Sequence, residues 1–146
     1  MKMLIINGPN LNMLGVREPD LYGNKTYDDL CLYITESARF LGVQVTLFQS
    51  NHEGNIVDEI QKALGAFDAI IINPAAFTHT SIAILDALKS VNLPCVEVHL
   101  TDIDNREDFR SFSFVSLYSQ KRFSGLGFEG YKKAMEYLLR VKDKEI

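Results

Sequence analysis

Short apolar runs alternating with stretches of helical periodicity constrain this chain more than any other feature. Residues 3–6 form a continuous run, Met3-Leu4-Ile5-Ile6, as expected of a strand covered on both faces. Between 26 and 41, the residues Leu30, Cys31, Ile34, Ala38 and Leu41 recur at threes and fours, which predicts a helix. Thr26 is its expected N-cap and Gly42 the residue just past its end. Residues 43–48 read as a second strand. Ile56, Val57, Ile60 and Leu64 give a second helix closed by Gly65, and residues 69–72 a third strand ending in Asn73-Pro74. Ile82, Leu85 and Leu88 mark a third helix, with Thr78 or Thr80 as its expected cap. Residues 94–98 form a fourth strand running into His99. A fifth strand is expected within 112–123, and Tyr131, Met135, Leu138 and Leu139 mark a closing helix.

Strand–helix alternation of this kind implies a parallel sheet with right-handed crossovers, hence a three-layer α/β/α domain. Five strands in 146 residues fit a flavodoxin-like sandwich with strand order 2-1-3-4-5. No internal repeat or linker interrupts the pattern, so residues 1–146 are read as a single domain. A net charge of −4, without basic runs, argues against nucleic acid or a membrane surface as partner. No apolar run approaches the roughly 18 residues of a membrane span. The first strand begins almost at Met1 and leaves no room for a signal peptide. Cys31 and Cys95 sit far apart in apolar patterns and read as buried free thiols. The expectation is a soluble, cytoplasmic protein.

Open α/β sheets bind ligands beyond the carboxyl ends of their strands, at the switch point in strand order. After the first strand comes Asn7-Gly8-Pro9-Asn10-Leu11-Asn12, and the loop continues through Arg17, Glu18, Pro19, Tyr22 and Gly23. Roughly 19 residues without periodicity is long against the usual 4–6, and such loops are commonly lids or binding loops. The lid is placed at about 12–25. Gln49, Ser50, Asn51, His52 and Glu53 follow the second strand, and Asn73, Phe77, Thr78, His79, Thr80 and Ser81 the third. The fourth carries Glu97 and then gives His99, Leu100 and Thr101. All three histidines therefore fall on one rim. Amides and a guanidinium there point to a polar, anionic small molecule.

Several chemistries lack their residues. The histidines have no close-spaced ligand partner, so no metal is expected. One glycine in the first turn does not make a dinucleotide fingerprint, and no nucleophile elbow occurs. Ser81 opens a helix, and its simplest role is a cap, with ligand contact second. What remains is acid–base chemistry. Tyr22 stands five residues after Arg17, and a cation within about 4–6 Å depresses an acid's pKa by roughly 1–3 units. His99, with Glu97 two residues earlier on the same strand face, is either a general acid or a residue that simply closes the strand. Asn73, Asn10 and Asn12 offer amide donors to a carbonyl, an enolate or an ordered water. Arg110 and His79 suit a carboxylate, although Arg106 and Arg110 read equally as solvated charges on one helix face.

Taken together, Asn7-Gly8-Pro9-Asn10-Leu11-Asn12, Arg17-Glu18-Pro19 with Tyr22-Gly23, Gln49-Ser50-Asn51-His52-Glu53-Gly54, Asn73-Pro74 with Thr78-His79-Thr80-Ser81, and Glu97-Val98-His99-Leu100 with Arg106-Glu107 and Arg110 resemble type II 3-dehydroquinate dehydratase. The motifs stand in family order over about residues 4 to 131. The resemblance implies reversible loss of water from 3-dehydroquinate to 3-dehydroshikimate, in the shikimate pathway of aromatic amino-acid biosynthesis. It also implies no cofactor, and a homododecamer built as a tetramer of trimers. By position, it makes Tyr22 the base that removes a C2 proton and Arg17 the group that lowers its pKa. His99 becomes the acid that protonates the departing C1 hydroxyl, oriented by Glu97, and Asn10 the holder of a water that stabilises the enolate. Asn73, His79, Asp86, Leu100, Thr101 and Arg110 would bind the substrate's carboxylate and hydroxyls.

Two departures from the family pattern stand out. Ala75 occupies a position commonly held by glycine, and a positive φ there would strain the turn that presents His79. The stretch 117–124 lacks the usual small and aliphatic run before Gly125, and is expected at a sheet edge and subunit contact. Two rival readings compete with an enzyme. One is a non-catalytic flavodoxin-like module binding a phosphorylated or carboxylated metabolite. The other, a response-regulator-like domain, is disfavoured because Asn7 and Asn10 stand where acids would be required.

Overall fold

The computed structural model describes residues 1–16, 20 and 23–145. Five parallel strands, β1 (Lys2–Asn7), β2 (Gln44–Gln49), β3 (Ala69–Asn73), β4 (Cys95–His99) and β5 (Lys121–Ser124), form one sheet in the order β2-β1-β3-β4-β5. Helices α1 (Tyr27–Leu41), α2 (Glu53–Lys62), α3 (Ile82–Val91) and α4 (Glu129–Lys144) cover it. The flavodoxin-like order expected from the alternation is the one observed.

Alternation within each apolar run explains its continuity. Met3, Ile5, Ile71, Val96 and Val98 point into the layer holding α1 and α4. Leu4, Ile6, Ile70, Ile72 and Cys95 point into the layer holding α2 and α3. A strand with helices on both faces has no polar side, so residues 3–6 and 69–72 show no period of two. Burying a side chain of this size contributes about 1.5–3 kcal/mol, which makes the two central strands the main source of cohesion.

The ends of α1 are set as the sequence predicts. Thr26 Oγ1 accepts from Asp29 N at 3.2 Å while Asp29 Oδ2 accepts from Thr26 N at 2.8 Å, a reciprocal capping box. Gly42 closes the helix in the left-handed region at φ 73°.

Other expectations shift. The cap of α3 is Ser81, whose Oγ accepts from Ile84 N at 2.9 Å, as its place at the helix start suggests, and not Thr78 or Thr80. Those threonines belong to the 3-10 turn Ala75–His79 and its end, which uses up the residues before the helix can begin. Ile82 and Leu64 are exposed, so they extend the apolar pattern without joining the core. Both cysteines are free; Cys95 is buried, but Cys31 is only half-buried. β5 starts later than the middle of the expected window and is the sheet's edge, paired only with β4. Among the described residues no helix is long and apolar enough to cross a membrane.

Candidate active site

Asn7, Gln49, Asn73 and His99 end β1, β2, β3 and β4, so four polar side chains share the carboxyl rim of the sheet. The switch point lies between the neighbouring strands β1 and β3. Gly8 N donates to Asn73 O at 2.8 Å, and a Cβ built on Gly8 would lie 2.4 Å from the Pro74 carbonyl oxygen. Only glycine lets these two rim loops meet.

A cleft opens above this contact. Its lining includes Asn10, Asn73, Ala75, His79 and His99, then Leu100, Thr101, Arg106 and Arg110 from the segment after β4. Of the residues proposed from sequence, Asn10, Asn73, His79, His99, Leu100, Thr101 and Arg110 thus converge. Glu97 lies directly behind them. Asp86 sits apart, on the exposed outer face of α3, and is not part of this lining. His52 stands at the N-cap of α2, exposed and outside the cleft. Arg17 and Tyr22, and most of the expected lid between them, lie outside the described residues.

His99 and Glu97 are both buried, and the ring's Nε2 faces Glu97 Oε2. Two residues apart on one strand, they project to the same side. Nε2–H donates to the carboxylate, which fixes the tautomer and leaves Nδ1 for the cleft. Glu97 is held from the other side too. Ser113 Oγ donates to Oε2 at 2.7 Å, Ser116 Oγ to Oε1 at 2.6 Å and Ser119 Oγ to Oε1 at 3.5 Å. Burial alone would push this carboxyl up. The hydrogen bond and charge of His99, with the Ser116 and Ser113 hydroxyls, overcome that and hold it below the usual carboxylate value. The result is a buried anion set to orient an imidazole and to balance a positive charge on it.

Across the cleft, His79 Nδ1 donates to Phe112 O at 2.7 Å, which frees Nε2 as an acceptor. Burial holds His79 below its ordinary value despite this bond, and the positive fields of His99, Arg110 and Arg106 add to the effect. Arg110 Nε lies 3.0 Å from Glu107 Oε2, but off the N–H direction, so the pair is coulombic and that N–H makes no hydrogen bond. Arg106 and Arg110 are not charges along one helix face. They stand at separate short 3-10 turns and both reach the cleft.

Below the floor, Tyr131 from α4 joins the ends of β1 and β3. Its hydroxyl donates to Asn7 Oδ1 at 2.6 Å and accepts from Asn73 Nδ2 at 3.0 Å. Asn73 Oδ1 accepts from Ala75 N at 3.2 Å, and Ala75 takes φ 53°. The turn that presents His79 therefore does carry alanine in the left-handed region.

A family model for class II dehydroquinase matches residues 1–139. The chain belongs to that family. Among class II dehydroquinases and their relatives, a 3-dehydroquinate dehydratase of Geotalea daltonii is 51% identical over 131 residues, 90% of this chain and 91% of the other. One from Thermotoga neapolitana is 50% identical over 144 residues, covering 99% and 98%. The crystal structure of the type II dehydroquinase of Butyrivibrio crossotus superposes with a TM-score of 0.92 at 45% identity, covering 94% of this chain and 97% of the other. The chain thus has the dehydroquinase fold, and the cleft lies on the carboxyl rim of its sheet.

Sequence reasoning found Glu97 and His99 but missed Ser113, Ser116, Ser119 and Tyr131. The serines recur at threes, yet nothing in that spacing says which carboxylate they face. Tyr131 was read as a core marker of α4, which it also is.

Proposed function

We propose that this class II dehydroquinase eliminates water from 3-dehydroquinate, reversibly, to give 3-dehydroshikimate through an enolate, in the shikimate pathway. The buried His99–Glu97 pair, opening on a cleft lined by His79 and Arg110, is the observation that carries the reading. A protonated His99 gives its proton to the departing C1 hydroxyl, and Glu97 keeps the ring oriented and its charge balanced. Tyr22 removes the C2 proton, and Arg17 stabilises the phenolate; the loop at 12–25 carries both. That proton lies next to a ketone, so its loss leaves negative charge on oxygen, which a water held by Asn10 stabilises. His79 and Arg110 meet the substrate carboxylate, while Asn73 and the segment at Leu100 and Thr101 meet its hydroxyls. Asp86, on an outer face, takes part only if a second copy of the chain brings it to the cleft. That fits a homododecamer arranged as a tetramer of trimers.

The test is direct. Purified protein given 3-dehydroquinate should produce the ultraviolet absorbance of a conjugated enone. Tyr22→Phe should lose about 10²–10⁴-fold in kcat with substrate binding largely kept. Arg17→Lys should also be severely impaired, since an ammonium does not reproduce the planar fork. Folded protein giving no enone at any pH would end the proposal, and an unchanged kcat in the phenylalanine variant would remove Tyr22 as base.

A further inference from the structure

The stretch where this chain departs from the family pattern runs directly behind the catalytic pair. Glu97 and Arg122 are register partners on neighbouring strands β4 and β5. Arg122 Nη1 donates to Ser116 Oγ at 3.5 Å, and Nη2 donates to Asp104 Oδ2 at 3.1 Å. Ser116 Oγ in turn donates to Glu97 Oε1 at 2.6 Å. A hydroxyl has one proton, so the direction of this chain is fixed. If Ser116 accepts from a guanidinium, its own proton must go to Glu97. Asp104 holds the guanidinium in place from the solvent side.

We propose that Arg122 is a positioning residue for the acid: through Ser116 it draws charge from Glu97, and so sets how firmly His99 keeps its proton. The proposal rests on the reading of His99 as general acid. A carboxylate left with fewer donors is more basic and binds the imidazolium proton more tightly, which makes His99 a slower acid. Arg122 works against this from one hydroxyl away, without touching substrate or ring. A valine or other aliphatic residue at this edge position would leave the Ser116 hydroxyl free to turn away.

Among the described residues, the other groups around the pair have settled places. Cys95 shares β4 with Glu97, and burial together with the Glu97 charge keeps its thiol protonated. Ser113 and Ser119 donate to the carboxylate but carry no charge. His79, Arg106 and Arg110 face the cleft side of His99 and are common to every variant below. Asp104 is the counter-charge of Arg122 itself.

The chain has three histidines, so the His99 ring can be followed by heteronuclear NMR as pH is varied. Arg122→Met should raise the His99 midpoint by about half a pH unit, and Arg122→Lys should restore most of the wild-type value. Ser116→Ala should raise it as well. Because Arg122 acts through that hydroxyl, Arg122→Met should add little further in the Ser116→Ala background. In turnover, the alkaline limb of kcat should move upward with the NMR midpoint while KM stays near wild type. An unmoved midpoint in Arg122→Met would overturn the proposal, as would full additivity with Ser116→Ala. Should Arg122→Met not fold, a wild-type midpoint in Ser116→Ala would overturn it alone. The titration needs no substrate, so it stands even if wild-type protein fails to dehydrate 3-dehydroquinate, a result that would sink only the assigned reaction.

Discussion

The Tyr131 hydroxyl donates to Asn7 Oδ1 at 2.6 Å, tying the closing helix to the end of β1 across 124 positions of sequence. All partners of this bond are buried, and the same hydroxyl receives Asn73 Nδ2. Tyr131→Phe would leave an amide oxygen and an amide N–H without partners in the floor of the cleft. Leaving such groups unsatisfied costs about 1–3 kcal/mol, so the variant should unfold at clearly lower urea concentration. A midpoint equal to wild type would show that the amides find other partners.

Ala75 at φ 53° predicts the opposite sign. A left-handed L-residue costs roughly 1–2 kcal/mol, and glycine's greater freedom in the unfolded chain offsets part of that. Ala75→Gly should therefore stabilise by about 0.5–1 kcal/mol in chemical denaturation. A destabilised variant would mean that the Ala75 methyl makes contacts worth more than the strain.

Gly8→Ala should be among the most damaging single-methyl changes available. The added carbon would meet backbone at 2.4 Å, which no side-chain rotation relieves. Overpacking of this kind costs about 1–3 kcal/mol or more, and here it also parts the β1 and β3 loops. Thermal unfolding should fall by several degrees, with turnover reduced at temperatures where the protein is still folded.

Two groups make the fold sensitive to acid. His79 sits below its ordinary value of 6.5, so the unfolded chain takes up this proton first as pH falls. Its contribution is complete above that value and shrinks below it. Glu97 also sits below its ordinary value of 4.5; its contribution is complete above 4.5 and is lost as pH falls through the depressed value. Stability should thus decline in two stages on acidification. His79→Gln should flatten the stage below neutrality and Glu97→Gln the one below the carboxylate range, both measured by urea midpoints against pH. A wild-type profile in His79→Gln would remove that histidine from the account.

How far the sequence could be read depended on whether a residue's partner lay nearby. Thr26 and Gly42 were legible because a cap is a local bond. The runs at 3–6 and 69–72 were legible because burial on two faces leaves no other composition. β5 was poorly bounded for a physical reason: Lys121-Arg122-Phe123-Ser124 is an edge strand with one exposed and three half-buried positions, so neither an apolar run nor an alternation marks it. The cap of α3 was split between Ser81, which is the cap, and Thr78 or Thr80, which are not, because a 3-10 turn and a helix start share the same threonine- and serine-rich stretch. Of the site, His99 and Glu97 were visible as neighbours on one strand. Ser113, Ser116 and Tyr131 reach their partners only after the chain has folded back.

Glu97 accepts from His99 and three serines, which fills the four lone-pair sites a carboxylate offers. None is left to grip a ring alcohol. Selectivity among related polyols must then be exercised by the cleft wall made of Asn73, His79 and the stretch from Leu100 to Arg110. An effort to retrain this scaffold for a different cyclic alcohol should rewrite that wall and leave the serines behind Glu97 untouched.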